Sequence, residues 1–200
     1  KSSANSVIKN IGEVVENIDF TLPEFKVKAE AAQEYNYDFR VDEKTSTLYL
    51  DGDGYMPSYA ADDAPWCDYK DIENLVIEGD FTILGTSAFK GFTKLKNVKM
   101  TGDVLIINAS AFENCTNLRS VTIENGLESI GTQCFRKCTN LTSFVIPESV
   151  TKIGNSVFEY CTSLTEFTIP NTVTSLGEGV FSNCSGLTRF DFPSSITTIG

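Results

Sequence analysis

Six cysteines are the residues of this chain best equipped for chemistry. A thiolate can attack an electrophile, close a disulfide or bind zinc. Four of the six, Cys115, Cys138, Cys161 and Cys184, recur at steps of 23 residues. Zinc sites pair their thiolates as CxxC, a spacing not found here. Phe92 stands one step earlier in the same column, so the position accepts a large apolar side chain. Cys134 shares its own column with Ala88, Ala111, Val157 and Val180. Both columns read as interior, and the thiols as small hydrophobes. Stacked chain segments lie about 4.8 Å apart, within reach for a bridge, but parallel side chains make the disulfide dihedral hard to adopt. The reading is a ladder of buried free thiols, from which no redox compartment follows.

Carboxylates and aromatic rings are the next candidates. Asp51-Gly52-Asp53-Gly54, with Asp62 and Asp63 nearby, could ligate calcium. The run lacks a third acidic position in EF-hand register and the closing Glu. Asp-Gly pairs form turns without any ion, so a turn and no metal are expected. Trp66, Tyr55 and Tyr59 could stack a sugar, but burial in the core of a cap is the preferred reading. Histidine is absent. That removes the usual base near neutral pH, the Ser-His triad and the commonest metal ligand. With no nucleophile–base pairing visible, no enzyme, no catalytic residue and no cofactor are expected.

Net charge is −11 and the pI about 4.5. Phosphate neutralisation needs a basic stripe, and none is seen, so no nucleic acid partner is expected. No run of 18 apolar residues appears, so the chain is expected not to span a membrane. It starts at Lys1 without an apolar leader and reads as a processed or cloned fragment, which leaves its compartment open.

The elements that position these residues repeat. Phe89, Phe112, Phe135, Phe158 and Phe181 keep the 23-residue step, as do Leu95, Leu118, Leu141, Leu164 and Leu187. A third column runs Leu84, Ile107, Ile130, Ile153, Leu176, Ile199, and a fourth Gly85, Asn108, Gly131, Gly154, Gly177, Gly200. A fixed period in the twenties marks a solenoid of stacked coils. In each coil Phe144-Val145-Ile146 and its equivalents predict a short strand with two side chains inward. Pro147, Pro170 and Pro193 end it, having no N–H for a ladder. The Gly154 column predicts a corner at positive φ. Ser156–Cys161 buries Val157, Phe158 and Cys161 at helical spacing. The fold class is therefore a repeat solenoid, α+β, wound right-handed.

Three segments follow. Residues 72–200 are the array. Residues 36–71 predict a cap with a β-hairpin, from the alternation of Tyr37, Phe39 and Val41, the Asp42–Ser46 turn and Thr47–Leu50. Residues 1–35 carry no repeat. Val7, Ile8, Ile11, Val14, Val15 and Ile18 fall on one helix face, and 24–34 could be a short helix or a strand.

Leu118-x-x-Val121-x-Ile123 matches the LxxLxL core of leucine-rich repeats, and IGxxxFxxCxxLxxxxIPxxVTxIG at Ile130–Gly154 resembles the BspA-like branch of that family. Leu50–Pro57, followed by Pro65-Trp66, is similar to the segment that often precedes such repeats. The resemblance covers roughly 47–200. It implies a bacterial cell-surface or secreted protein that adheres to host matrix proteins or to other microbes, and it brings no catalytic motif. Thr101 and Glu124 in place of proline, and Phe92 in place of cysteine, depart from the pattern.

A repeat array binds partners on its strand face. That face should carry Lys96, Lys99, Arg119, Thr122, Thr142, Val145, Thr165, Glu166, Thr168, Thr188, Arg189 and Asp191. The expected function is a non-enzymatic extracellular or cell-surface module that binds a protein or glycan, on host matrix or a microbial surface. A structural spacer or an accessory domain of a larger surface protein is the alternative. Phe190, Phe192 and Ile196 have no following coil in this chain, which predicts further repeats or end-to-end packing.

Overall fold

The computed structural model describes residues 25–26, 37–60, 62–124 and 126–196. The helix face at Val7–Ile18 lies outside the described residues, as do Ile199 and Gly200. Within 24–34, Phe25–Lys26 is a short strand, β1; the rest of that segment also lies outside them.

Alternation in the hairpin resolves as expected. β2 (Tyr37–Asp42) and β3 (Thr47–Tyr55) pair antiparallel, with Arg40 opposite Tyr49. Asp42 closes the turn by accepting from the Lys44 and Thr45 N–H groups and the Thr45 hydroxyl. β1 pairs antiparallel with β2. The Asp51–Gly54 run departs from expectation. It continues β3, parallel to β4 (Asn74–Leu84), with Asp51 opposite Glu78 and Gly52 opposite Gly79. Gly79 has φ +80°, and a Cβ there would lie 2.4 Å from the Gly52 carbonyl oxygen. Paired glycines thus let two strands bend together at close approach, and no turn is needed.

From β4 onward the chain coils at 23-residue steps in three stacked rows. In the first, β4 pairs in parallel with β5 (Asn97–Met100), and β5 with β7 (Ser120–Ile123). β10 (Glu166–Thr168) and β12 (Arg189–Asp191) pair separately. In the second, the end of β4 pairs with β6 (Ile106–Ile107), then β8 (Ser129–Ile130), β9 (Lys152–Ile153) and β11 (Ser175–Leu176) follow, all parallel. Phe144 and Ile146 are buried and Val145 is exposed, as the alternation requires. Yet those residues join no strand.

The third row replaces the expected helical turn. Ser110, Gln133 and Ser156 have φ 56°, 59° and 53°, and Asn114, Lys137 and Tyr160 have 63°, 61° and 61°. Left-handed residues break an i→i−4 ladder and aim the intervening N–H groups sideways. Phe112 N–H donates to Cys134 in the next coil at 2.9 Å, and Phe135 N–H to Val157 at 3.0 Å. Helical spacing arose because two successive tight turns also bring the second, third and sixth residues of Ser156–Cys161 to one side. Among the described residues there is one 3-10 turn, Cys67–Tyr69, and no α-helix, so the described residues form a β-solenoid and the helical part of the α+β expectation is not found among them.

The glycine column also works differently from expectation. Gly85, Gly131, Gly154 and Gly177 do not adopt positive φ, which falls two residues later at Ser87, Ser110, Gln133, Ser156 and Gly179. What the column lacks is room for a Cβ. One added at Gly85 would lie 1.7 Å from the Pro57 carbonyl oxygen, and at Gly177 2.4 Å from the Gly154 carbonyl carbon.

The core is a file of rings. Phe89, Phe112, Phe135, Phe158 and Phe181 stack at 5.2, 5.5, 5.6 and 5.7 Å, with planes within 12°. Trp66 stands 23 residues before Phe89, a match legible in the sequence, and stacks on it at 5.4 Å. Its indole N–H donates to the Ala88 carbonyl at 2.7 Å. Trp66 is fully buried and offers no face to a sugar. Tyr59 packs edge-on against it, while Tyr55 is about half exposed.

Candidate binding face

The first row presents its outward side chains as registered lines. Leu48, Leu75 and Val98 point inward along one line, and Leu50, Ile77 and Met100 along another, all buried. The residues between and beside them must then point out. One outward line runs Arg40, Tyr49, Val76, Lys99, Thr122. Another runs Asn74, Asn97, Ser120, starting beside the buried Thr47, and is sewn together by side chains. Asn97 Nδ2 donates to Asn74 Oδ1 and Ser120 Oγ to Asn97 Oδ1, each at 2.9 Å.

Of the expected face residues, Lys99 and Thr122 fall in the first block, β4–β5–β7, and Lys96 and Arg119 immediately precede β5 and β7. Glu166, Thr168, Arg189 and Asp191 fall in the second, with Glu166 opposite Arg189 and Thr168 opposite Asp191. Thr165 and Thr188 immediately precede those strands, and the Thr188 hydroxyl donates to the Thr165 carbonyl at 3.2 Å. Thr142 and Val145 sit between the blocks, where no ladder is formed. Lys96 is half-buried and the other residues are exposed. These residues thus fall in two registered groups with a gap between them.

Charge on the face is largely answered locally. Lys96 pairs with Glu73 at 2.7 Å, Lys99 with Glu124 at 3.1 Å, and Arg189 with Asp191 at 3.5 Å. Such exposed pairs contribute little to stability, roughly 0–1 kcal/mol each. The face extends beyond the repeats: the Arg40 guanidinium lies 3.6 Å from the Tyr49 ring centre. Arginine and tyrosine are the residue types that anchor protein interfaces. Repeat spacing does not reveal this pair, because β3 precedes β4 by 27 residues and not 23 (Leu48 opposite Leu75).

The opposite side carries a charge ladder that the period could have shown. Lys90, Glu113, Arg136 and Glu159 occupy one column with alternating sign. Lys90 pairs with Glu113 at 2.8 Å, and Arg136 bridges Glu113 at 3.0 Å and Glu159 at 2.8 Å. Burial pushes the Glu113 carboxyl up, but hydrogen bonds from Lys90, Arg136 and Ser110 outweigh it and leave the group below its ordinary value. Its charge therefore favours the fold above the ordinary carboxylate range, a contribution lost as pH falls through the lowered value.

The cysteine column has a structural task. Cys115, Cys138, Cys161 and Cys184 aim Sγ at the carbonyls of Phe89, Phe112, Phe135 and Phe158, at 3.2, 3.3, 3.2 and 3.0 Å. Each thiol donates to the ring-bearing residue one coil earlier, which explains a small S–H in an apolar column. Burial pushes the Cys115 thiol up to about 12, and raises Cys134, Cys138, Cys161 and Cys184 as well. Such thiols are neutral and poor nucleophiles. In the folded protein at pH 8, a thiol reagent is expected to reach Cys67 and the half-buried Cys184 first, and Cys115, Cys134, Cys138 and Cys161 only after denaturation. Rapid labelling of those four in buffer would overturn their placement.

Among the described residues, no three His, Cys, Asp or Glu side chains are arranged to hold a metal. Asp51 instead adds to burial in raising the Asp38 carboxyl. Among the same residues no helix is long and apolar enough to cross a membrane.

A family model described as BspA type leucine rich repeat region matches residues 82–200, in 6 copies. No curated protein matches the chain. Among solved structures, a leucine-rich repeat protein of T. pallidum is 24% identical with a TM-score of 0.61, over 86% of this chain and 82% of that one. A leucine-rich repeat protein of Bacteroides ovatus is 24% identical with a TM-score of 0.59, over 74% of this chain and 37% of that one. A leucine-rich cell surface protein of Faecalibacterium prausnitzii is 27% identical with a TM-score of 0.52, over 86% of this chain and 45% of that one. The chain thus spans less than half of the two longer proteins.

Proposed function

The chain belongs to the BspA-type leucine-rich repeat family, and on that premise we propose that it is a non-enzymatic binding module of a bacterial cell surface. The observation that carries this reading is the outward side of the first row. It is continuous from Arg40 to Thr122, resumes at Glu166, and presents cationic, hydroxyl and apolar groups side by side. Lys96, Lys99, Arg119, Thr122, Thr142, Val145, Thr165, Glu166, Thr168, Thr188, Arg189 and Asp191 are the contact residues in this reading. A surface location is supported by the cell-surface description of the F. prausnitzii protein. The partner is a protein or glycan of host matrix or of another microbe.

Residues 36–71 serve in this reading as the N-terminal cap and 72–200 as the array, with 1–35 a separate lead-in. Support comes from Trp66, which closes the Phe file at its N-terminal end. Parallel strands joined by crossovers are right-handed in about 98% of cases, which supports a right-handed winding.

Surface plasmon resonance against matrix glycoproteins and whole microbial cells tests the reading. Lys99→Glu combined with Arg119→Glu is expected to weaken any specific binding at least ~10-fold, the scale of an interface hot spot. Lys152→Glu, exposed on β9 and away from the face, should leave it unchanged. Equal losses from both changes, or no binding to any surface in the panel, would overturn the proposal.

A further inference from the structure

The first row is broken at one place. Elsewhere neighbouring coils bond through it: Arg119 N–H donates to the Lys96 carbonyl at 2.8 Å, and Thr188 N–H to Thr165 at 3.0 Å. The equivalent bonds, Thr142 to Arg119 and Thr165 to Thr142, are not formed. From Thr142 to Ile146, all described, no backbone group bonds to either neighbouring coil. The other two rows run through the same coil without interruption. β8 pairs with β9, and Gln133, Phe135 and Lys137 donate to Asn155, Val157 and Glu159 at 2.8, 3.0 and 2.8 Å.

Two changes in the chain coincide at this coil. Thr101 and Glu124 N–H groups donate to Ile77 and Met100, at 3.0 and 3.1 Å. Pro147 occupies the next position and has no N–H to offer Ile123. The inward column also steps from Val98 and Val121 to Phe144, whose ring wedges between Phe135 at 5.0 Å and Phe158 at 5.3 Å. Both changes recur in the next two coils, as Phe167 with Pro170 and Phe190 with Pro193, where the row pairs again, so the break marks the coil in which this pattern first enters. Val145 stands 82% exposed there.

We propose that residues 142–147 are a compliant joint in the solenoid, where the strand face opens and closes while the other two rows act as the hinge. Backbone groups without a protein partner must bond to water or go without, so this interface between coils is the weakest in the row. In a stacked array stability is a sum of nearest-neighbour terms, and motion concentrates where a term is smallest. The joint divides the strand face into the cationic block of Lys96, Lys99 and Arg119 and the block of Glu166, Thr168 and Asp191. A partner touching both blocks would select one joint angle. The joint itself follows from the backbone and stands whether or not the binding reading does.

NMR on the intact chain tests it. Amides of Ser143–Ile146 are expected to exchange at least ~10-fold faster than the bonded amides of Phe135 and Lys137 in the same coil. 15N relaxation dispersion should appear at these residues and at Ile123 and Glu166 on either side, and be flat at Phe135 and Val157. Pro147→Thr, which restores a donor for the Ile123 carbonyl, should slow exchange at Val145 and Ile146. Equal protection across the coil would overturn the joint, as would dispersion that is flat throughout. Should Pro147→Thr fail to fold, the wild-type measurements decide alone.

Discussion

Phe135→Ala should lower the free energy of unfolding by about 3–5 kcal/mol, the usual cost of removing a buried aromatic ring. The ring is fully buried. It lies between Phe112 at 5.5 Å and Phe158 at 5.6 Å, and Phe144 packs on it at 5.0 Å. Alanine therefore opens a void bounded on three sides by rings that are themselves held by the next coils, so collapse is limited. Much of the stability of a domain this size, roughly 5–15 kcal/mol, would be lost in one step. Urea unfolding followed by tryptophan fluorescence reads the effect directly, because Trp66 is the end of the same ring file. Val145→Ala is the control. It removes apolar atoms from an 82% exposed position and should shift stability by no more than about 0.5 kcal/mol. A Phe135→Ala protein within 1 kcal/mol of wild type would mean that the file is not the core.

Gly131→Ala should cost about 1–3 kcal/mol, the range for overpacking. An added Cβ would lie 2.5 Å from Ala109 N, 2.6 Å from the Asn108 carbonyl carbon and 2.9 Å from the Ile107 oxygen. All three are backbone atoms of the preceding coil, so the coils must part for the methyl to fit. Gly91 separates this cause from backbone freedom. It has φ +77° with nothing within 4 Å of a Cβ, and its column neighbour Asn114 holds φ 63°. Gly91→Asn should then be nearly neutral, since Asn tolerates that conformation. The comparison is made by urea midpoints at equal slope. If Gly131→Ala is the milder of the two, the column is there for its dihedrals and the packing account fails.

Much of this molecule was legible from spacing alone. A 23-residue period requires that equivalent side chains stack, so the Phe file, the Leu column and the inward pair of each strand follow from counting. Trp66 and the Lys90–Glu159 charge column obey the same count. They could have been found by extending it past the residues that look alike. The thiol column was assigned to the interior for the right reason, its exchange with Phe92. Why cysteine occupies it was hidden, because the acceptor is a main-chain carbonyl 26 residues away, and main-chain groups leave no mark on the sequence.

What the tertiary structure decided is where the backbone bonds go. Spacing reports which side chains share a side, and a helical turn and a pair of left-handed turns both place Val157, Phe158 and Cys161 together. Only the direction of the N–H groups tells them apart, and that depends on the coil stacked alongside. Asp51–Gly54 has the composition of a turn, yet a parallel partner at Glu78–Phe81 draws it into a strand. Gly131 and Gly154 look like residues chosen for positive φ, yet the backbone of the coil beneath is what excludes a larger residue. Phe144-Val145-Ile146 has the alternation of its neighbours and lacks their ladder. Local sequence set the inward and outward sides of every coil. Contact between coils set the hydrogen bonding, because in a solenoid each coil finds its partners one full turn away.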